Sequence, residues 1–176
     1  MFFKLNLKRT LRAIVTLATG ASLTFGSVAA FADDSFSERL IGRAMDLVGV
    51  KYRFGGTSPT TGLDCSGYVQ YVFQNAVGVT LPRVAAAQSQ VGERVASQSD
   101  MRPGDLVFFN TRGFAASHVG IYVGNNTFIH SPHTGASVRF DSMNNSYWSA
   151  RFNGARRVSA SSSRANAFGS NAPLGM

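Results

Sequence analysis

The stretch "SHVGIYVGNNTFIHSP", residues 117–132, alternates its side chains on either side of "GNN" at 124–126, a turn signal between two runs of strand-forming residues. Read as an antiparallel hairpin with a three-residue loop, it pairs Val123 with Thr127. Ile121 then faces Ile129, and Gly120 faces His130. His118 falls diagonal to His130 on the same face, at about 7–8 Å between backbones, within reach of two imidazoles. Val119, Ile121, Val123 and Ile129 form the opposite face, apolar throughout, and belong to a core. His133 has the other parity and follows Pro132, so it is expected to leave the sheet. A bulge inside the pairing would undo this assignment.

Further strands are expected at Leu106 to Phe109, Ser137 to Phe140 and Ala155 to Val158, with "NNSYWSARF" forming a short helix or turn that packs Trp148 on the sheet. Helical patterns come earlier. Ser35 and Glu38 read as a capping box opening a helix that buries Phe36, Leu40, Ile41, Ala44, Leu47 and Val48. After the Gly/Pro/Thr-rich loop "KYRFGGTSPTTG", a second helix starts near Cys65 and buries Tyr68 or Val69, Val72, Phe73 and Ala76. "VTLPR" ends it, and a third helix is expected over 84–91. Asp105, after Gly104, reads as a turn residue. Helices first and antiparallel strands afterward argue an α+β fold, one sheet with helices on one side.

Residues 1–32 read as a secretory signal peptide. Lys4, Lys8, Arg9 and Arg12 precede a short, small-residue apolar run, and Ala30-Phe31-Ala32 fits a cleavage site. The apolar run is too short for a convincing membrane span, and no cysteine stands there for lipidation. The leader holds four of the 17 basic residues and none of the nine acids, so the formal charge of +8 falls to +4 without it. A mildly basic exported domain suits a polyanionic wall. The scattered basic residues and the export signal argue against nucleic acid as a partner. The remainder is long enough for one domain, residues 33–158, followed by a low-complexity tail, 159–176, expected to be disordered.

Cys65 is the sole cysteine, in a compartment where cysteines are usually paired. It is an inert buried thiol, an intermolecular bridge or a nucleophile. At a helix N-terminus the dipole and free N–H groups favour the thiolate. Asp64 opposes this, because a neighbouring carboxylate raises the thiol pKa, unless its charge is absorbed in capping the helix. A nucleophilic thiol needs a base. His118 and His130, sharing one face, supply it: His118 as the base, His130 orienting its other nitrogen. Zinc on Cys65, His118 and His130 lacks the usual short ligand spacing, and no metal or cofactor is expected.

"YRFGG" (52–56), "DCSGYVQYVF" (64–73), "LPR" (81–83), "RPGDLVFF" (102–109), the 117–132 hairpin and "ARRV" (155–158) resemble, in order, the NlpC-type cysteine peptidases of bacterial cell walls. The resemblance spans about residues 36–158. It implies a compact papain-like fold, with N-terminal helices on one face of an antiparallel sheet of about five strands. It implies Cys65 as nucleophile, His118 as base and His130 as third member. Tyr52 is expected to reach toward the thiol, and Asp64, Ser66, Arg83 and Ser117 to line the substrate groove. Tyr52, Asp64, Ser66 and Arg83 also have plain structural readings, respectively a packed loop aromatic, a helix cap, a first-turn residue and a solvated charge. Where the family follows "LPR" with Ser or Thr, this chain has Val84, losing a hydroxyl and a helix cap.

The expected function is therefore a periplasmic peptidoglycan hydrolase, similar to single-domain murein D,D-endopeptidases, cutting stem-peptide amides through a thioester. D-alanyl–diaminopimelate and γ-D-glutamyl–diaminopimelate bonds are both open. Acyl or amide transfer on the same fold, or a non-catalytic wall-binding adaptor, are the alternatives. A regulatory adaptor or protease partner is left unnamed.

Overall fold

The computed structural model describes residues 27–159, with side chains from Asp34 onward; residues 1–26 of the expected 1–32 leader and residues 160–176 of the expected 159–176 tail lie outside them. Helix α1 spans Ser27–Met45 and α2 Cys65–Val77, with the ribbon β1 (Thr57–Ser58) and β2 (Gly62–Leu63) between them. Then come α3 (Ala85–Gln88), β3 (Glu93–Val95), β4 (Leu106–Phe109), β5 (His118–Gly124), β6 (Thr127–His130), β7 (Arg139–Ser142), α4 (Ser146–Ser149) and β8 (Phe152–Arg157). The main sheet has six antiparallel strands in the order β3-β8-β4-β5-β6-β7. The mixed α+β class expected from the sequence is the one observed.

Several boundaries differ, each for a local reason. Helix α1 begins eight residues before Ser35. "VAAFA" carries no proline or glycine to stop it, and alanine is the best helix former, so Ser35 and Glu38 lie inside the helix rather than at its start. Phe36, Leu40, Ala44 and Leu47 are buried as expected, while Val48 stays exposed beyond the helix end. Helix α3 is a single turn: Val84 sits at its N-cap with no side-chain bond to the backbone. The buried Gln88 amide donates to Ser66 and Pro82 carbonyls. Strand β3, three residues of largely polar edge, carries no hydrophobic alternation and was not expected. Strand β7 lies two residues further on than the alternation in "SVRF" suggests, and β8 starts three residues earlier.

Helices α1 and α2 pack on one face of the sheet, where Phe73, Val69 and Val72 meet Leu106, Phe108, Val119, Ile121 and Ile129. Phe36 and Phe73 touch edge to face, centroids 6.5 Å apart. The other face carries a second apolar cluster, with Val107, Phe109, Tyr122, Phe128, Met143 and Trp148. All four residues of β4 are buried for that reason. His118 and His130 sit on this second face, since His118 pairs with Phe109 and His130 follows Phe128 by two.

Helix α2 starts where the backbone is tightest. Asp64 N–H donates to the Gly56 carbonyl at 3.1 Å, and a Cβ on Gly67 would run into that same carbonyl oxygen. Gly67 therefore sets how closely the turn that carries Cys65 approaches the loop carrying Tyr52. Gly67→Ala is expected to lose about 1–3 kcal/mol of stability, as overpacking does, read as a lower denaturant midpoint at unchanged slope.

Candidate active site

Cys65 is the first residue of α2. Asp64 is its N-cap and accepts from Gly67 N–H at 2.7 Å. Both Asp64 oxygens are taken further, by Gly55 N–H at 3.0 Å, the Ser66 hydroxyl at 3.2 Å and a bidentate Arg83 at 3.0 and 2.7 Å. Arg83 also donates to the Ser66 hydroxyl. Asp64, Ser66 and Arg83 thus form one closed network that orders the helix start, with the Arg83 guanidinium held charged chiefly by its bond to Asp64. None of the three lines the cavity in front of Cys65.

That cavity, about 570 Å³, is lined by Tyr52, Cys65, Ser117 and His118 from the expected set. It is also lined by Arg112, His133, Arg139, Asp141, Tyr147 and Trp148, of which only His133 and Trp148 drew comment in the sequence. The Ser117 hydroxyl accepts from Thr111 and Arg112 N–H at 2.8 and 3.1 Å, so it organises the loop that brings Arg112 to the cavity. Arg112 lies over the Phe54 ring at 5.6 Å, and its charge acts to lower the Tyr52 hydroxyl pKa. His133 is exposed and outside the strands, as parity requires.

His118 opens β5 and His130 closes β6. The hairpin pairs Ile121 with Ile129 and Tyr122 with Phe128, as read from the sequence. Its turn differs: Gly124 pairs with Thr127, Asn125 and Asn126 take positive φ of 50° and 52°, and Val123 is extruded as a bulge. The bulge lies between the turn and the histidines, so their parity survives. His118 Nε2 and His130 Nδ1 are 2.7 Å apart. Both rings are buried, and Trp148 stacks on His118 at 5.5 Å and 27° while meeting His130 edge-on at 5.0 Å.

The charge states follow from these surroundings. Burial, and secondarily the Asp64 charge, push the Cys65 thiol above its ordinary value; backbone N–H groups at Val119 and Ser66, then Arg112, pull the other way and lose. Burial, then the neighbouring His130 ring, holds His118 well below the ordinary imidazole range. At neutral pH the pair is a neutral thiol and a neutral imidazole. Tyr52 is raised, by burial first and by Cys65 second. Among the described residues no group of three His, Cys, Asp or Glu is placed to hold a metal ion, and no helix is long and apolar enough to cross a membrane.

Residues 49–157 match the family model described as NlpC/P60 family. The chain belongs to this family. Two Escherichia coli relatives are similar to it. Murein DD-endopeptidase MepS/Murein LD-carboxypeptidase is 47% identical over 120 residues, 68% of this chain and 62% of that protein. Murein DD-endopeptidase MepH is 43% identical over 118 residues, 66% of this chain and 44% of that protein. The chain thus matches less than two thirds of either relative. A crystal structure of an NlpC/P60 family protein from Bacillus cereus superposes with a TM-score of 0.64 at 32% identity, covering 69% of this chain and 39% of that one.

These charge states predict two midpoints. The rate of Cys65 alkylation is expected to rise with pH through a midpoint above the ordinary thiol value of about 8.5, and Asp64→Asn to lower it. Imidazole must be unprotonated to act as a base, so the acid limb of kcat/KM is expected below the ordinary histidine value of about 6.5.

Proposed function

We propose that this chain is an exported peptidoglycan hydrolase, a cysteine endopeptidase that cuts stem-peptide amides through a thioester. The observation that carries the reading is one cavity lined by both Cys65 and His118, with the far nitrogen of His118 held 2.7 Å from His130.

In the first half-reaction, His118 Nδ1 takes the thiol proton as sulfur bonds to the carbonyl carbon. The oxyanion that forms is held by N–H groups of the first turn of α2, Cys65's own included, which have no carbonyl partner within the helix. The C–N bond then breaks, and the leaving amine takes the proton from His118. In the second half, water attacks the thioester, His118 receives its proton, and the C–S bond breaks to return the thiol and a new carboxyl group. A neutral resting pair suits this sequence: proton transfer accompanies attack rather than preceding it.

Arg112 is the cation of the cavity wall on the Tyr52 side, and we assign it to a carboxylate of the stem peptide, which an arginine fork fits. Arg83, expected in that role from the sequence, is engaged with Asp64 and Ser66. The relatives are named murein DD-endopeptidases, which favours a D,D cross-link as the bond cut; of the two bonds left open by the sequence, that is D-alanyl–diaminopimelate. Periplasmic location, with residues 1–32 removed and 33–158 as the catalytic domain, rests on the leader pattern and a wall substrate.

Digestion of purified peptidoglycan, with fragments read by mass spectrometry, tests the reading. Wild-type protein is expected to resolve cross-linked dimers into monomers. Cys65→Ala should do so at least about 10³-fold more slowly, and Arg112→Ala should act with a raised KM. Equal digestion with and without the thiol would sink the mechanism; cleavage within the monomers would move the bond to γ-D-glutamyl–diaminopimelate.

A further inference from the structure

Asp141, in β7, has no place in the thiol–histidine–histidine set read from the sequence, yet it stands at the end of it. Phe128 pairs with Asp141 and His130 with Arg139, so Asp141 is diagonal to His130 across β6–β7. His130 is diagonal to His118 across β5–β6 in the same sense. One oblique line thus crosses three strands: His118, His130, Asp141. Along it the contacts are 2.7 Å from His118 Nε2 to His130 Nδ1, and 2.9 Å from His130 Nε2 to Asp141 Oδ2.

Asp141 is well supplied with donors. Its Oδ2 also accepts from Trp148 Nε1 at 3.1 Å and from Arg139 Nη2 at 3.1 Å. Burial acts to raise the carboxyl, but the bonds from His130 and Arg139 outweigh it and hold the group far below its usual range. The carboxylate is ionised and can only accept.

The proton positions then follow one from another. His130 Nε2 must carry the hydrogen that Asp141 accepts. A neutral imidazole has one N–H, so His130 Nδ1 is bare. His118 Nε2 must therefore donate to it, which leaves His118 Nδ1 bare. Without an anion at the end, the chain could run the other way, with His130 Nδ1 donating to His118 Nε2 and the His118 proton on Nδ1. In that tautomer His118 cannot take a proton from sulfur. We infer that Asp141 is a positioning residue that acts through His130 to keep His118 in its base-competent tautomer. It also lies two bonds from the imidazolium formed during attack and stabilises it, without itself taking a proton. Trp148 serves the same arrangement, stacking on one ring, meeting the other edge-on and donating to the carboxylate.

This deepens the proposed hydrolase reading and rests on it for its catalytic consequence, so the test needs one readout independent of substrate. The charged and titratable groups ranged around the histidine pair are Cys65 at the start of α2, Arg112 and His133 in loops, and Arg139 beside Asp141 in β7. Nitrogen-15 spectra of the histidine rings in the free protein are expected to show His118 protonated on Nε2 alone. In Asp141→Ala a population protonated on Nδ1 should appear. With peptidoglycan, Asp141→Ala should lose about 10²-fold in kcat with KM within about twofold. The acid limb of kcat/KM should move to lower pH, because the anion that favoured imidazolium is gone. If the alanine variant fails to fold, Asp141→Asn keeps the volume, and both its kcat and its acid limb should fall. A folded variant with unchanged ring tautomers and kcat within about twofold would overturn the inference. Ring spectra that change as stated in a protein that does not cut peptidoglycan would leave the positioning role standing and remove the hydrolase reading instead.

Discussion

The pairing of β5 with β6 governs the whole site. A strand alternates its side chains with a period of two, so a one-residue slip of β6 against β5 would send His130 to the helix side, away from His118, and bring Ile129 out. Two features hold the register. Ile121 and Ile129, opposite one another and fully buried, lose their burial in any other pairing. Gly120 also permits only one approach, since a Cβ there would stand 2.7 Å from the Phe128 ring and 3.2 Å from the His130 Cβ. The same register is carried to β7 through the pairing of Phe128 with Asp141.

Opposing effects meet at the thiol. A helix N-terminus favours the thiolate, but that contribution is usually worth under about 1 kcal/mol at a surface and fades with geometry. Burial and an adjacent carboxylate act in the opposite sense, and here they prevail. Asp64 is needed where it is: its two oxygens collect five donors from the α2 first turn, the Gly55 loop and Arg83. The helix start is ordered at the cost of a less acidic thiol, and in the proposed mechanism the neutral imidazole of His118 makes up the difference during attack.

Much of this was legible in the sequence. Alternation around "GNN" located the two histidines on one face, and "DCSG" put Cys65 at a helix start; the sequence leaves open whether Asp64 caps that helix or lines the groove, and the structure shows the cap. Asp141 was missed because parity cannot be carried across the irregular segment from Ser131 to Val138, whose turns include a positive φ at Gly135. Starting β7 two residues too early preserved the parity but left Asp141 beyond its end. Arg112 was missed because a loop residue has no periodicity to place it; its position depends on the Ser117 hydroxyl, eight residues from the end of β4. Arg83 was legible as an arginine near Cys65, but not its choice of partner, since Asp64 and a substrate carboxylate present the same chemistry.

Because the chain has a single cysteine, covalent titration tests the central claim most directly. Graded alkylation of the native protein, with label per chain counted by intact mass and residual peptidoglycan cleavage measured on each sample, needs no mutation. Activity is expected to fall linearly and to extrapolate to zero at one label per chain, with substrate slowing the labelling. Substantial cleavage by fully labelled protein would contradict the account.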